Sequence, residues 1–234
     1  MPVAAQSTLD PMLLLSMLSG LVPIAALVVG VVLLRRWGRR RLLQRVTQRA
    51  GQLAPWARSR GFTLERGPRP DIPRWFPGVP YLGDPLAAVS NRVAWLLVSG
   101  RVHGQPVHLF ELRCRIWHGT KARPYVHAVA ALTLTRAIPT LVIKPRWLPN
   151  VLGPETPLPQ RFFAAFEVQV TDPAFRARVL TPGLMNWFLT ALHAGQEPWL
   201  RCESTRLLCC GLGTLRPDRA ETMLAMLRGV HRSL

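Results

Sequence analysis

Residues 12–34 carry no charge and are dominated by Leu, Val, Ala and Met. At 1.5 Å per residue such a run extends about 34 Å, against a hydrocarbon core of about 30 Å, so the pattern predicts a membrane-spanning helix with some tilt. Pro23 sits near its middle, a position that a span tolerates because neighbouring groups take up the freed backbone. A secretory signal peptide places basic residues before a shorter apolar stretch. Here Asp10 precedes the run, and Arg35, Arg36, Arg39, Arg40 and Arg41 follow it. That order predicts a retained single-pass anchor over residues 1–34.

Residues 35–60 mix arginines with apolar residues and contain no acid. Arg45, Arg49, Arg58 and Arg60 continue the basic series, while Leu42, Val46 and Leu53 fall near helical spacing. The helix is expected to continue as an amphipathic juxtamembrane segment, with Trp37 where an interfacial aromatic belongs. All flanking positive charge lies C-terminal to the span, which places the N-terminus outside and the C-terminal domain in the cytoplasm. Arg35, Arg36, Arg39, Arg40, Arg41 and Arg45 are the expected contacts to anionic lipid headgroups, each contributing on the order of 1 kcal/mol near an anionic leaflet. Fixing topology alone would also account for them.

Residues 61–90 break the periodicity. Within them RGPRPDIPRWFPGVPYLGDP, residues 66–85, holds too much proline for regular structure. It also holds Trp75, Phe76 and Tyr81, too apolar for a free linker, so a Pro-rich arm lying against the domain is expected. Residues 91–234 read as an α+β domain. Apolar and β-branched runs at 91–103, 106–116 and 125–134, bounded by Gly and Pro, predict three antiparallel strands. Residues 141–144 add a fourth, and 162–170 (FFAAFEVQV) another. Asp172-Pro173 and Thr181-Pro182 each put a capping side chain before a proline at the first helical position. In the second of these helices Leu184, Met185, Phe188, Leu189 and Leu192 form an apolar stripe that Gly195 ends. Residues 200–212 supply one or two short strands. Pro217 then opens a terminal helix whose Met223, Leu224, Leu227 and Val230 would face the sheet. Strands followed mainly by helices predict an antiparallel sheet with C-terminal helices.

Thirty Lys and Arg against twelve Asp and Glu give a formal net charge of +18. Lys121 and Lys144 are the only lysines, and arginine alongside abundant Ala, Leu, Pro and Gly is also what GC-rich coding produces. With the densest basic segment next to a bilayer and no recognisable reading module, nucleic acid is not an expected partner. Cys114, Cys202, Cys209 and Cys210 form no CxxC and no regular framework, so they read as reduced, buried thiols.

Chemistry-bearing residues are sparse. His103, His108, His118 and His127 cluster near the first hairpins, with Glu111 and Cys114 close in sequence. On a strand His108 shares a face with Phe110, Leu112 and Cys114 while Glu111 points the other way, and His108 lies about 20 Å from Cys114. A metal or catalytic site would need groups from neighbouring strands, and His108 with His127 is the pair placed to supply them. Cys209 and Cys210 point to opposite faces of a strand. Gly211-Leu212-Gly213 lacks a third glycine, and no GK[ST], GxSxG or HExxH occurs, so nucleotide, serine-hydrolase and zincin signatures are absent. Carboxylates are few and scattered, which weighs against an enzyme. No cofactor, metal ligand or catalytic residue is assigned.

The passages NRVAWLLVSGRVHGQPVHLFELR (91–113), AALTLTRAIPTLVIKP (130–145) and FFAAFEVQVTDPAFRARVLTPGLMNWFL (162–189) resemble a group of uncharacterised actinobacterial single-pass membrane proteins with a cytoplasmic domain of unknown function. Where such proteins often carry Asp-Tyr after the phenylalanine of the second strand, this chain has Glu111-Leu112. The resemblance implies framework rather than chemistry. The expected function is a non-catalytic, membrane-anchored cytoplasmic interaction module, an envelope-associated scaffold that meets a protein partner or the inner leaflet. The alternative is a membrane-bound enzyme using the sheet face of His108 and His127.

Overall fold

The computed structural model describes residues 11–72, 87–118, 120–146 and 152–234. The chain divides into two compact units, Met1–Arg45 and Val46–Leu234, and one helix, α1 (Pro11–Ser59), passes from the first into the second. Among the described residues no helix is long and apolar enough to cross a membrane. Residues 1–10 and the side chains of 11–26 are outside the described set, and with them most of the apolar run at 12–34. The expected transmembrane helix therefore draws no support from the described residues.

In the second unit the strands are β1 (Thr63–Arg69), β2 (Ala87–Val102), β3 (Gln105–His118), β4 (Lys121–Pro145), β5 (Phe166–Val170) and β6 (Trp199–Leu212). The helices are α2 (Leu158–Ala165), α3 (Pro173–Val179), α4 (Pro182–His193) and α5 (Pro217–Arg232). All pairings are antiparallel: β1 to β5 lie in chain order, and β6 adds to the other edge of β4. This is the α+β sheet with C-terminal helices that the pattern predicts. The β2–β3 hairpin turns on His103 and Gly104, both at positive φ (49° and 77°), which matches the twist of the strands it joins.

Four boundaries differ from those the pattern predicts. Part of the proline-rich arm is a strand, since Thr63–Arg69 pairs with β2. Pro68 fits because β1 is an edge strand, where a missing N–H leaves no neighbour unpaired, and the register shifts between Arg66 and Arg69. Ile72 is fully buried in the core, residues 73–86 are outside the described set, and β2 begins at Ala87 rather than at 91. The run 162–170 is not one strand: residues through Ala165 belong to α2, and only Phe166–Val170 is extended. Pro159 in the first turn favours the helix, and an all-apolar FFAAF has no period that could decide between helix and strand. Residues 125–134 and 141–144 belong to a single strand, β4, whose register against β6 shifts between Thr133 and Leu141.

The part of α1 in the second unit buries Val46, Ala50, Leu53 and Ala57, spaced four, three and four residues apart on one stripe. Its Arg49 reaches Glu111 on β3, so the face of β3 bearing Glu111, and by alternation Leu109 and Val107, meets the helix. The opposite face holds Phe110 and Leu112 in one core cluster with Ala94, Leu97, Val129 and Cys210. Trp56 Nε1 donates to Glu221 Oε1 at 2.6 Å, and Arg60 pairs with the same oxygen at 2.7 Å, tying the end of α1 to α5. Phe162 stacks on Phe166 at 5.1 Å, and Phe188 meets both edge-on, which fixes α2 and α4 over β5. Both expected caps form: Asp172 Oδ1 accepts from the Ala174 N–H at 2.9 Å, and Thr181 Oγ1 from the Leu184 N–H at 3.3 Å.

Candidate functional site

In the first unit the large apolar side chains from Leu27 to Leu34 are exposed, Leu27 by 69% and Leu34 by 67%. Arg36, Arg40, Arg41 and Arg45 follow and are exposed too, while the side chains of Arg35 and Arg39 are outside the described set. The Arg41 guanidinium sits over the Trp37 ring, 3.6 Å from its centroid. Arg49 and Arg60, counted with this basic series in the sequence, have different work in the second unit. They pair with Glu111 and Glu221.

His108 and His127 lie on one face of adjacent strands, yet they do not converge. His108 stands opposite Ala131 and His127 opposite Leu112, so four residues of strand, about 13 Å, separate them. His108 Nδ1 is 3.0 Å from Ser99 Oγ, and burial holds its pKa below the ordinary imidazole value. His127 is buried, stacks on Tyr125, and has Nδ1 3.9 Å from Cys114 Sγ. This Cys/His contact is the opposite of a nucleophilic pair. Burial pushes the Cys114 thiol up to about 11, and burial reinforced by Arg219 pushes His127 down to about 4. Both are neutral at pH 7, whereas an activated thiolate needs a depressed thiol pKa beside a charged imidazolium. Among the described residues no three His, Cys, Asp or Glu side chains are grouped to hold a metal ion. Cys209 and Cys210 are free and buried, with thiol pKa values raised by burial.

The sequence pattern does not announce the two features that the fold assembles. One is a buried ion cluster: Glu111, fully enclosed, accepts from Arg49 and Arg113 through Oε1, each at 3.0 Å. The other is an open groove of about 480 Å³ between α4 and α5. Thr181 caps α4 so that Gly183, Leu184 and Trp187 face it, and on α5 Thr222, Ala225, Met226 and Gly229 recur along the facing side. No charged side chain among the described residues lines the groove. Each of its hydroxyls already makes one hydrogen bond within the helices. Thr181 caps α4, Thr222 Oγ1 donates to the Asp218 carbonyl at 2.9 Å, and Ser233 Oγ donates to the Val230 carbonyl at 2.7 Å. A ligand would meet mainly hydrocarbon and one indole, in a volume typical of small-molecule sites, about 300–1,000 Å³. The signal that could have found it is the run of small residues at 222, 225, 229 and 233, away from the core-facing stripe of α5.

No protein-family model matches the chain, and no curated protein does. Its architecture places it among α+β proteins built on an antiparallel sheet, with helices gathered toward the C-terminus. Among solved structures it is similar to the crystal structure of the mycobacterial trehalose monomycolate transport factor A, TtfA, with a TM-score of 0.52 and 16% identity, over 79% of this chain and 93% of that one. At that identity the likeness is one of fold.

Proposed function

We propose that this chain is a non-catalytic interaction module of the cell envelope, tethered to the membrane through α1 and carrying its sheet domain on the cytoplasmic side. The observation that carries the reading is the order along α1: exposed apolar residues from Leu27 to Leu34, then exposed Trp37, Arg36, Arg40 and Arg41. A contiguous exposed apolar run marks an interaction or membrane surface, and aromatic and basic residues at its end are what an interface selects. The fold it shares with a transport factor supports the non-catalytic part. The neutral Cys114/His127 pair and the separated histidines offer no reaction to set against it.

Cell fractionation with a C-terminal reporter tests this. The full chain should stay with membranes through alkaline carbonate extraction, and a reporter active only in the cytoplasm should be active. Removing residues 1–34 should release the chain. A full-length chain found in the carbonate supernatant, or a reporter active only outside the cytoplasm, would overturn the reading.

A further inference from the structure

The groove does not end in hydrocarbon. A second, much smaller cavity of about 10 Å³ adjoins it, and the two share Trp187 and Thr222. Arg219 lines this inner end beside Cys209, Gly211 and Met223. Arg219 is half-buried and lies in the first turn of α5, where the positive end of the helix dipole disfavours a cation. Among the described residues no carboxylate lies within ion-pair distance of it, Asp218 acts on it only through space, and its enclosed Nε has no hydrogen-bond partner. Asp218, next in sequence, instead accepts from Arg216 through both carboxylate oxygens, each at 3.2 Å. Two glycines make room for the guanidinium: a Cβ on Gly211 would lie 2.6 Å from Nη2, and one on Gly213 would lie 2.5 Å from Nη1. Gly213 is also at φ +114°, a conformation that other residues rarely adopt.

A partly desolvated cation whose neighbouring carboxylate, Asp218, is already bonded to Arg216 is under-compensated and gains when an anion arrives. Here it stands at one end of a groove that holds no other charged group among the described residues. From Thr222 on α5 to its C-cap Ser233 the lining runs about 17 Å at 1.5 Å per residue, the length of an extended acyl chain. The complement of this surface is an anion joined to hydrocarbon. We infer that the groove between α4 and α5 binds an anionic lipid, its acyl chain lying along Gly183, Trp187, Ala225 and Gly229 and its acidic headgroup paired with Arg219. This deepens the membrane-tethered reading by naming what the tethered domain takes from the leaflet beside it.

The test reconstitutes the full chain in phosphatidylcholine vesicles doped with a phosphatidic acid bearing a diazirine in its acyl chain, or with a phosphatidylcholine bearing the same chain. Photolysis followed by peptide mapping should place label on 179–187 and 222–233, with the anionic probe favoured about tenfold, the scale of one charge-assisted contact. Arg219→Gln should bring the anionic probe down to the phosphatidylcholine level while circular dichroism shows the fold retained. Arg219→Lys should keep part of the preference. Gly229→Trp, whose side chain would enter space where a Cβ meets nothing within 4 Å, should suppress both probes. Equal labelling of the wild type by the two probes would overturn the inference, as would label confined to other peptides. Competition by inorganic phosphate alone would make the site one for a free anion, and loss of label as chains cross-link to one another through α5 would make the groove a self-association surface. Vesicle flotation reads the tether separately, so a chain that fails to float yet labels from dispersed lipid would overturn the tether and leave the groove standing.

Discussion

Arg49, near the C-terminal end of α1, holds its guanidinium 3.0 Å from Oε1 of Glu111 in the middle of β3. The same oxygen accepts from Arg113 at 3.0 Å, and Oε2 is enclosed without a partner. One carboxylate thus fixes where the helix lands on the sheet. Removing it would leave two half-buried guanidinium groups facing each other. Loss of one member of a buried pair typically destabilises by about 3–5 kcal/mol. Glu111→Ala should therefore lower the free energy of unfolding by about 3 kcal/mol, read by urea denaturation. Glu111→Gln, which keeps the volume and one acceptor, should lose about half as much. An unchanged midpoint in Glu111→Ala would mean that the Val46, Ala50, Leu53 and Ala57 stripe docks the helix unaided.

How much of this was legible beforehand depends on whether the information was local. The Asp172 and Thr181 caps, the Gly-bounded runs that become β2 and β3 and the core stripe of α5 are written within a few residues, and each appears as expected. Glu111 could be assigned to the face away from His108, because alternation needs only one strand. Its partner could not, since Arg49 is 62 residues away and sits in a basic series that reads as a membrane flank. The FFAAF segment failed for another reason: it is apolar at every position, so Pro159 and the Phe188 contact decide the helix. The groove needs two separate helices, α4 and α5, and Arg219 is conspicuous only once the fold half-buries it beside that groove.

His127 gives a pH dependence with a definite sign. Its folded pKa of about 4 lies below the ordinary imidazole value of 6.5, first because of burial and second because of Arg219. The unfolded chain therefore binds more protons between these values. This contribution to stability is fully present above pH 6.5 and is lost as pH falls toward 4. Over that window it amounts to on the order of 3 kcal/mol. Urea midpoints measured from pH 7 to pH 4 should fall for the wild type and fall much less for His127→Phe. Equal slopes in the two proteins would assign the acid sensitivity to other groups.

The four thiols should behave as packing groups. Cys114, Cys202, Cys209 and Cys210 are buried, and burial raises each thiol pKa. The reactive thiolate is therefore scarce at neutral pH. A maleimide reagent should label none of them in the native protein, and labelling should appear at the rate of global opening, with the midpoint seen by circular dichroism. Rapid native labelling of Cys209 or Cys210 would show that β6 opens locally beneath α5.

Two glycines should respond to alanine in opposite directions. Gly100 on β2 faces the Phe62 ring so closely that a Cβ would fall inside it. That ring is itself held edge-on by Trp56, with centroids 5.8 Å apart, so it has little freedom to yield. Overpacking of this kind typically destabilises by about 1–3 kcal/mol, and Gly100→Ala should lower Tm accordingly. Gly229 lies inside α5, where a Cβ would meet nothing within 4 Å, and glycine within a helix is about 1 kcal/mol less favourable than alanine. Gly229→Ala should therefore raise the unfolding free energy by close to that amount. A stabilising substitution left unused at a position that opens onto the groove is what a binding surface would keep, because the missing methyl is space for a ligand. Gly229→Ala should then combine higher Tm with weaker uptake of the acyl probe. Higher Tm with undiminished uptake would move the ligand away from this stretch of α5.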